Sequence, residues 1–201
     1  MILDVKTTPV VDAYHMLVGL VTPRPIAWVT TLAPSGMVNL APFSFFNAFG
    51  SNPPIVVFSP TNKRDGSKKD TLRNLEALGE FVVNVVTADL ASKANLTSTE
   101  LPPDESEVVL AELSTVPSIK VKPPRIAESP ASLECIVRQI IPCGTGAIAA
   151  NLVIGEIVMM HVADEVLGAD GRPDPRKLRT VARLGHEYWC RTSDLFELKR
   201  P

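Results

Sequence analysis

The segment Lys63–Arg73 (KRDGSKKDTLR) holds the residue types that point most directly to anion binding. It carries five basic and two acidic residues in a chain whose net charge is −2. A helix is predicted to begin inside it, capped by Asp70 or Thr71. Unpaired backbone N–H groups at a helix start attract anions, so a phosphate could lie against Lys69 and Thr71, with Asp70 capping the helix or orienting Lys69. The alternative is a solvated loop with an ordinary cap.

The segment Pro42–Asn52 (PFSFFNAFGSN) combines aromatic rings with polar side chains. Aromatic faces can pack on a flat ligand, while Ser, Asn and backbone amides can bond its polar edge. The alternative is a core strand with polar ends. The residues that carry this pattern are Phe43, Ser44, Phe45, Phe46, Asn47, Phe49, Ser51 and Asn52.

Arg24 lies between Pro23 and Pro25, just before a predicted strand. The two prolines restrict where its side chain can point. Arg24 could meet a phosphate or the electron-rich edge of a flat ligand, or it could form a surface ion pair. His186 lies beside Tyr188 and could approach a substrate.

The sequence offers no metal-ligand or hydrolase pattern. Its three cysteines are widely spaced, and neither a CxxC nor an HxxxH spacing occurs, which gives no support for a zinc site. A GxSxG nucleophile motif is also missing from the sequence,. The predicted chemistry therefore concerns a bound organic group.

Composition narrows the class of protein. The 201 residues suit one domain spanning 1–201, and 45% of them are hydrophobic,. With 20 basic and 22 acidic residues, the chain lacks the basic surplus of a general nucleic-acid binder. It contains no apolar run of the roughly 18 residues that a membrane span requires, and its first residues lack the apolar stretch of a signal peptide. We therefore expect a cytoplasmic protein that binds neither nucleic acid nor membrane.

The pattern of elements predicts a mainly β protein. Short strands alternate with turns and helices are few, which favours a β-barrel with inserted helices over a doubly wound α/β fold. No GxGxxG follows a strand, which argues against a Rossmann domain. Strands are predicted at 26–32, 37–42, 55–59, 81–86, 133–141 and 152–162, helices at 10–19, 70–78 and 88–95, and a surface excursion at 101–115.

Several segments, taken in order, resemble the flavin reductase-like, FMN-binding split-barrel family, near its flavoredoxin branch. They are RPIAWVTTLAPSGMVNLAPFSFFN, SNPPIVVFSP, DGSKKDTLRNL, EFVVNVV and the terminal ARLG with LFELKRP. Their order and spacing are specific, and they cover nearly the whole chain. The resemblance implies a six-stranded antiparallel Greek-key split barrel with peripheral helices. It also implies a homodimer that binds FMN near the subunit interface.

The resemblance also implies roles for individual residues. The turn Ser44, Phe45, Phe46 and Asn47 would contact the flavin ring and ribityl chain, and residues 184–188 would border the ring. The remaining cofactor-binding residues would be Ser59 and Asn62 near the ribityl or phosphate end, and Lys69, Asp70, Thr71 and Arg24 around the phosphate. One departure is Asn151, which stands where many reductases of the family have a histidine near the nicotinamide.

The activity implied is that of an oxidoreductase. NAD(P)H would give a hydride to N5 of FMN, and the flavin would deliver electrons to an acceptor, such as a protein or a monooxygenase. Hydride transfer requires no protein acid or base, so no catalytic residue is predicted. One alternative is a non-enzymatic, FMN-carrying electron-transfer protein like flavoredoxin. Another is a split-barrel dimer that binds a different flat or anionic ligand, such as haem, without turnover.

Overall fold

The computed structural model describes residues 1–102 and 105–200. The elements of these ranges are, in chain order, α1 (Val10–Leu20), β1 (Ala27–Leu32), β2 (Val38–Phe43), β3 (Phe46–Ser51), β4 (Pro54–Phe58), α2 (Asp70–Leu78), β5 (Glu80–Val85), α3 (Ala91–Leu96), α4 (Glu107–Leu110), β6 (Thr115–Val116), β7 (Arg125–Ile126), β8 (Ala131–Pro142), β9 (Asn151–Val162), α5 (Pro175–Leu178), β10 (Val181–Arg183) and β11 (Trp189–Arg191). Within the same ranges, no helix has the length and apolar character needed to cross a bilayer.

Seven strands of the described chain form one antiparallel sheet, in the order β2-β1-β5-β8-β9-β4-β3. This sheet curls around a common core. Phe43 of β2 and Phe58 of β4 lie far apart in the strand order, yet their ring centroids are 5.2 Å apart, and Phe58 lies 5.3 Å from Phe81 of β5. The chain itself joins β2 to β3 through residues 44 and 45. The predicted mainly β split barrel is confirmed.

Close packing in the barrel depends on a glycine in β9. A Cβ added to Gly155 would lie 2.3 Å from Cζ of Phe81, which is far inside van der Waals contact. The Phe81 ring therefore occupies the space that any side chain at position 155 would need.

Outside the barrel, a second core covers the other face of β1. Trp28 is fully buried there against Leu90, Ala94 and Ile126, and its Nε1–H donates to Thr97 Oγ1 at 2.9 Å. Because β1 is covered on both faces, all its residues from Ala27 to Thr31 are buried, the polar Thr30 and Thr31 included. This second core fixes α3, and the residues after it, beside β2.

Two features differ from the sequence-based expectations. The sheet has seven strands where six were predicted, because residues 46–51 pair with β4 as the extra strand β3. The predicted surface excursion at 101–115 contains α4, whose Glu107 and Val108 are buried; residues 103 and 104 lie outside the described ranges. Glu107 Oε2 accepts the backbone N–H of Leu40 at 2.9 Å, so α4 is held against β2 by a buried side chain.

Candidate functional site

Two adjoining cavities lie along β2. The cavity of about 80 Å³ lies at the start of α2, and the cavity of about 180 Å³ lies near the end of β2. Both are lined by Pro42 and Ser98, so we treat them as one groove, called the β2 groove below. Four of the predicted cofactor-binding residues line it: Ser44, Lys69, Asp70 and Thr71.

Lys69 and Thr71 form the cationic end of the groove. Lys69 is half-buried, and burial lowers the pKa of its ammonium, since desolvation disfavours the charged form. Its Nζ lies 6.0 Å from the centroid of the Phe43 ring, and no carboxylate within the described ranges pairs with it. Thr71 is buried, and its Oγ1 accepts a hydrogen bond from Asn39 Nδ2 at 3.1 Å. A cation and a hydroxyl therefore meet where an anion can be held.

The predicted helix cap is wrong. Lys69 occupies the N-cap position of α2 and makes no side-chain capping bond. Asp70 is the first helical residue, and its carboxylate pairs with Arg73 and lies 3.5 Å from Lys63 Nζ. Because these two cations hold Asp70, it fixes the loop before α2 and does not orient Lys69.

Ser59 carries an unusual hydroxyl. Its Oγ is buried and has no hydrogen-bond partner within the described residues. Its backbone N–H donates to the carbonyl of Phe45 at 2.9 Å, which fixes Ser59 beside the turn of residues 44–47, called the aromatic turn below. A buried hydroxyl without a partner is costly unless a ligand completes its bonding.

Asn62 and Asn151 form a clamp between two loops. Asn151 Nδ2 donates to Pro60 O and to Asn62 Oδ1, each at 3.0 Å. Asn62 Nδ2 in turn donates to Gly146 O at 3.0 Å, in the loop between β8 and β9. The Asn62 side chain therefore links its own segment to the loop between β8 and β9. Asn151 holds residues 60–62 in place from the start of β9.

The aromatic turn divides into residues near the groove and residues away from it. Ser44 lines the groove, and the Phe45 ring contacts Tyr14 edge to face at 6.4 Å between centroids. Phe46 packs against the barrel core, and Asn47 is exposed, with its Oδ1 accepting the N–H of Ala48 at 2.8 Å. From Phe46 onward the segment is a strand, but only Phe46 packs against the core and residues 47–51 are exposed, so the interpretation of this segment as a core strand with polar ends is wrong beyond Phe46.

Arg24 is buried, with 5% of its surface exposed, so it is not the surface ion pair that the sequence left open. Its guanidinium donates to the carbonyls of Val18, Val21 and Leu184, the last two at 2.7 and 2.9 Å. Its Nε lies 3.4 Å from Ser44 Oγ. Burial lowers the pKa of Arg24. Four of its five N–H groups thus have acceptors in the described chain. Arg24 therefore joins α1, the turn at Ser44 and the loop of residues 184–188, called the C-terminal loop below.

Sequence reasoning missed several residues that line the groove. Thr97, Ser98 and Thr99 follow α3 and face the start of α2. At the other end lie Trp189 and Arg183, whose guanidinium carbon is 5.2 Å from the Trp189 ring centroid. The hydroxyl run after α3 was a visible signal, but its placement beside β2 depends on long-range packing.

Comparisons with known proteins found a matching family model and similar sequences. The sequence model of a family described as "Flavin reductase like domain" matches residues 19–179. A protein of Halalkalibacterium halodurans is 45% identical over 192 residues, covering 94% of this chain and 91% of the relative. A Bacillus subtilis protein is 39% identical over 193 residues, covering 94% of each.

Solved structures with a similar fold cover most or all of the chain. Nitrilotriacetate monooxygenase component B from Bacillus cereus superimposes with a TM-score of 0.92 at 34% identity, covering 98% of both chains. A 2-nitrobenzoate 2-nitroreductase from Pseudomonas fluorescens gives a TM-score of 0.89 at 31% identity, covering 100% of this chain and 96% of its own. Flavoredoxin of Desulfovibrio vulgaris shares the fold, with a TM-score of 0.74 at 20% identity over 88% of this chain and 90% of its own.

Proposed function

Since the chain belongs to the flavin reductase-like family, we propose that it is an FMN-dependent oxidoreductase in which NAD(P)H is the reductant. The observation that carries the proposal is the β2 groove. It has a half-buried lysine and a buried threonine at one end and the Ser44 turn at the other. An anion-binding end and an end next to aromatic side chains are what a flavin mononucleotide requires.

The residues present fit FMN. At the phosphate end, Lys69 would supply a charge-assisted hydrogen bond, and the start of α2 would supply backbone N–H groups. Near the ring end, Ser59 holds a buried hydroxyl with no partner in the described chain, which a ribityl hydroxyl would satisfy. Ser44 is already oriented by Arg24.

FMN, when bound, would supply a two-electron carrier that accepts hydride at N5. The chain's own part is to hold the phosphate at Lys69 and Thr71 and to fix the turn at Ser44 and Phe45. The buried Arg24 contacts both Ser44 and α1, and so fixes the position of that turn relative to the helix. Since hydride transfer needs no protein acid or base, this division of labour fits a groove built from hydrogen-bond donors and aromatic side chains.

We also propose that the protein works as a homodimer and passes electrons to a partner enzyme. Large apolar side chains remain exposed, including Leu17 (49%), Leu20 (76%) and Phe49 (68%), and a second copy would cover such a surface. The structural relative named as component B of a monooxygenase supports a partner that uses the reduced flavin. The carrier role resembling flavoredoxin is the alternative.

Anaerobic mixing separates these functions. FMN-loaded protein is mixed with NADH or NADPH under argon while the visible flavin band is followed. Bleaching within seconds is expected for the oxidoreductase, because the bound flavin then takes the hydride directly. Bleaching only by a reduced protein donor would instead establish the electron-carrier role. A colourless protein that does not bind added FMN would overturn both the oxidoreductase and the carrier.

A further inference from the structure

A separate cavity of about 670 Å³ lies between α1 and the C-terminal loop. We propose that this cavity binds a planar, uncharged, electron-poor aromatic molecule of the quinone class, which serves as electron acceptor. The acceptor role rests on the proposed function, whereas the binding does not. The residues that line the cavity, called the aromatic cavity below, are Tyr14, His15, Val18, His186, Glu187 and Tyr188.

The two walls of the aromatic cavity are α1 and the C-terminal loop, and their backbones approach each other closely. A Cβ on Gly185 would lie only 3.1 Å from Cα of Gly19, so glycine at position 185 favours the close approach of α1 and the loop. Arg24 bonds both walls, through Val18 O and Leu184 O. The cavity is therefore a built feature of the fold.

The same joint places the cavity next to the Ser44 turn. Arg24 Nε contacts Ser44 Oγ at 3.4 Å, and the Tyr14 ring contacts the Phe45 ring at 6.4 Å between centroids. A molecule against Tyr14 would thus lie one side chain away from the turn proposed to hold the flavin ring.

The backbone of the loop is held in a costly conformation. His186 has a φ of +55°, which is uncommon for a residue other than glycine. Arg183 Nη2 donates to His186 O at 3.0 Å and helps to hold this shape. The His186 ring lies nearly parallel to that of His15, 5.8 Å away at 18°. Such strain clusters at functional sites.

The lining chemistry favours a flat, uncharged ring. Two tyrosines and two imidazoles offer aromatic faces, and Tyr188 is 69% exposed,. The described residues that line the cavity include neither lysine nor arginine, and Glu187 adds a carboxylate. Arg24 and Arg183 lie beside the cavity but already donate to backbone carbonyls of its walls, so the described lining offers no cation to the pyrophosphate of a dinucleotide, which argues against NAD(P)H as the occupant.

The redox balance needs no further reagent. A quinone takes up two electrons and two protons to become a hydroquinone. NAD(P)H supplies a hydride, which is two electrons and one proton, by way of the flavin, and water supplies the second proton. NAD(P)H becomes NAD(P)+ and the quinone is the species reduced.

Equilibrium dialysis of the apoprotein tests the binding directly. The probe is tetramethyl-1,4-benzoquinone, which has no free ring position for addition of the exposed Cys143 thiol. We expect saturable binding of about one molecule per chain, weakened at least ten-fold by Tyr188→Ala and by Tyr14→Ala. Phe196→Ala, which removes an exposed ring that does not line the cavity, is the control and should bind as the wild type does.

An FMN titration of the same proteins separates the two proposals. His15→Ala, added to the set because it changes only the α1 wall of the cavity, is expected to keep its FMN affinity while binding the quinone at least ten-fold more weakly. Quinone binding together with failure to bind FMN would end the proposed function and leave the aromatic site standing. Equal quinone binding by wild type and Tyr188→Ala, or binding of NADPH in place of the quinone, would overturn the aromatic site.

Discussion

Ser59 is the residue where stability and binding should change in opposite directions. Its buried Oγ has no partner in the described chain, and an unsatisfied buried polar group costs about 1–3 kcal/mol. We expect Ser59→Ala to make the apoprotein at least as stable as the wild type in urea unfolding. The same variant should bind FMN several-fold more weakly.

A matched serine provides the control for that prediction. Ser129 Oγ lies within hydrogen-bonding distance of Val85 O at 2.9 Å and Ala131 O at 2.8 Å, so Ser129→Ala should lose stability by about 1 kcal/mol and leave FMN affinity unchanged. A Ser59→Ala variant that loses as much stability as Ser129→Ala would show that the Ser59 hydroxyl is already satisfied.

Residue types alone pointed to the cationic end of the groove but not to its details. Lys69 and Thr71 were singled out by local charge and helix position, and both line the groove. The cap at Asp70 was wrong because Lys63 and Arg73 compete for its carboxylate. Arg24 was placed near the site, but its role as a buried joint depends on carbonyls of distant segments, which no local pattern shows.

At the scale of elements, the clamp of Asn62 and Asn151 should behave as one unit. Asn151→Ala removes bonds to Pro60 O and Asn62 Oδ1, so the loop that leads to Lys69 should lose its fixed position. We expect a stability loss of about 1–3 kcal/mol and FMN affinity several-fold weaker.

A double-mutant cycle checks whether the clamp acts jointly. Asn62→Ala should have a similar effect, and the double variant should be little worse than either single variant, because contacting residues are not additive. Fully additive losses of FMN affinity would mean that the two asparagines act separately.

The elements themselves were predicted unevenly. Apolar β-branched runs gave the strands at β1, β4, β5, β8 and β9 to within a few residues. Strand β3 was missed because, beyond Phe46, its side chains are exposed and show no regular alternation. Helix α4 was missed because Glu107 is a buried carboxylate whose pKa is raised by burial, and an acidic, proline-rich segment reads as a solvated loop.

At the scale of the molecule, the barrel interior should tolerate little added volume. A Cβ at Gly155 would lie 2.3 Å from Phe81 Cζ and 2.7 Å from its Cε1. We expect Gly155→Ala to destabilise the protein by about 1–3 kcal/mol, as overpacking does. Gly19→Ala is the control, since its Cβ would meet nothing within 4 Å and alanine favours a helix by about 0.5–1 kcal/mol. Equal stability of both variants in urea would contradict this account of the core.

The strand order could not be read from the sequence pattern. Periodicity indicates which segments are strands, but the order β2-β1-β5-β8-β9-β4-β3 is set by pairing between residues far apart in the chain. The family resemblance supplied the barrel. The contact between Phe43 and Phe58, and hence the groove beside β2, became visible only with the structure.

The most direct test of the central claim is a fluorescence titration of the apoprotein with FMN, comparing Lys69→Ala with Lys68→Ala. Both variants remove one positive charge, but Lys68 is exposed and pairs with Glu76 at 2.7 Å, while Lys69 lies in the groove. The account predicts that Lys69→Ala binds FMN at least ten-fold more weakly and that Lys68→Ala binds it as the wild type does. Equal affinities in all three proteins, or no binding in any, would contradict it.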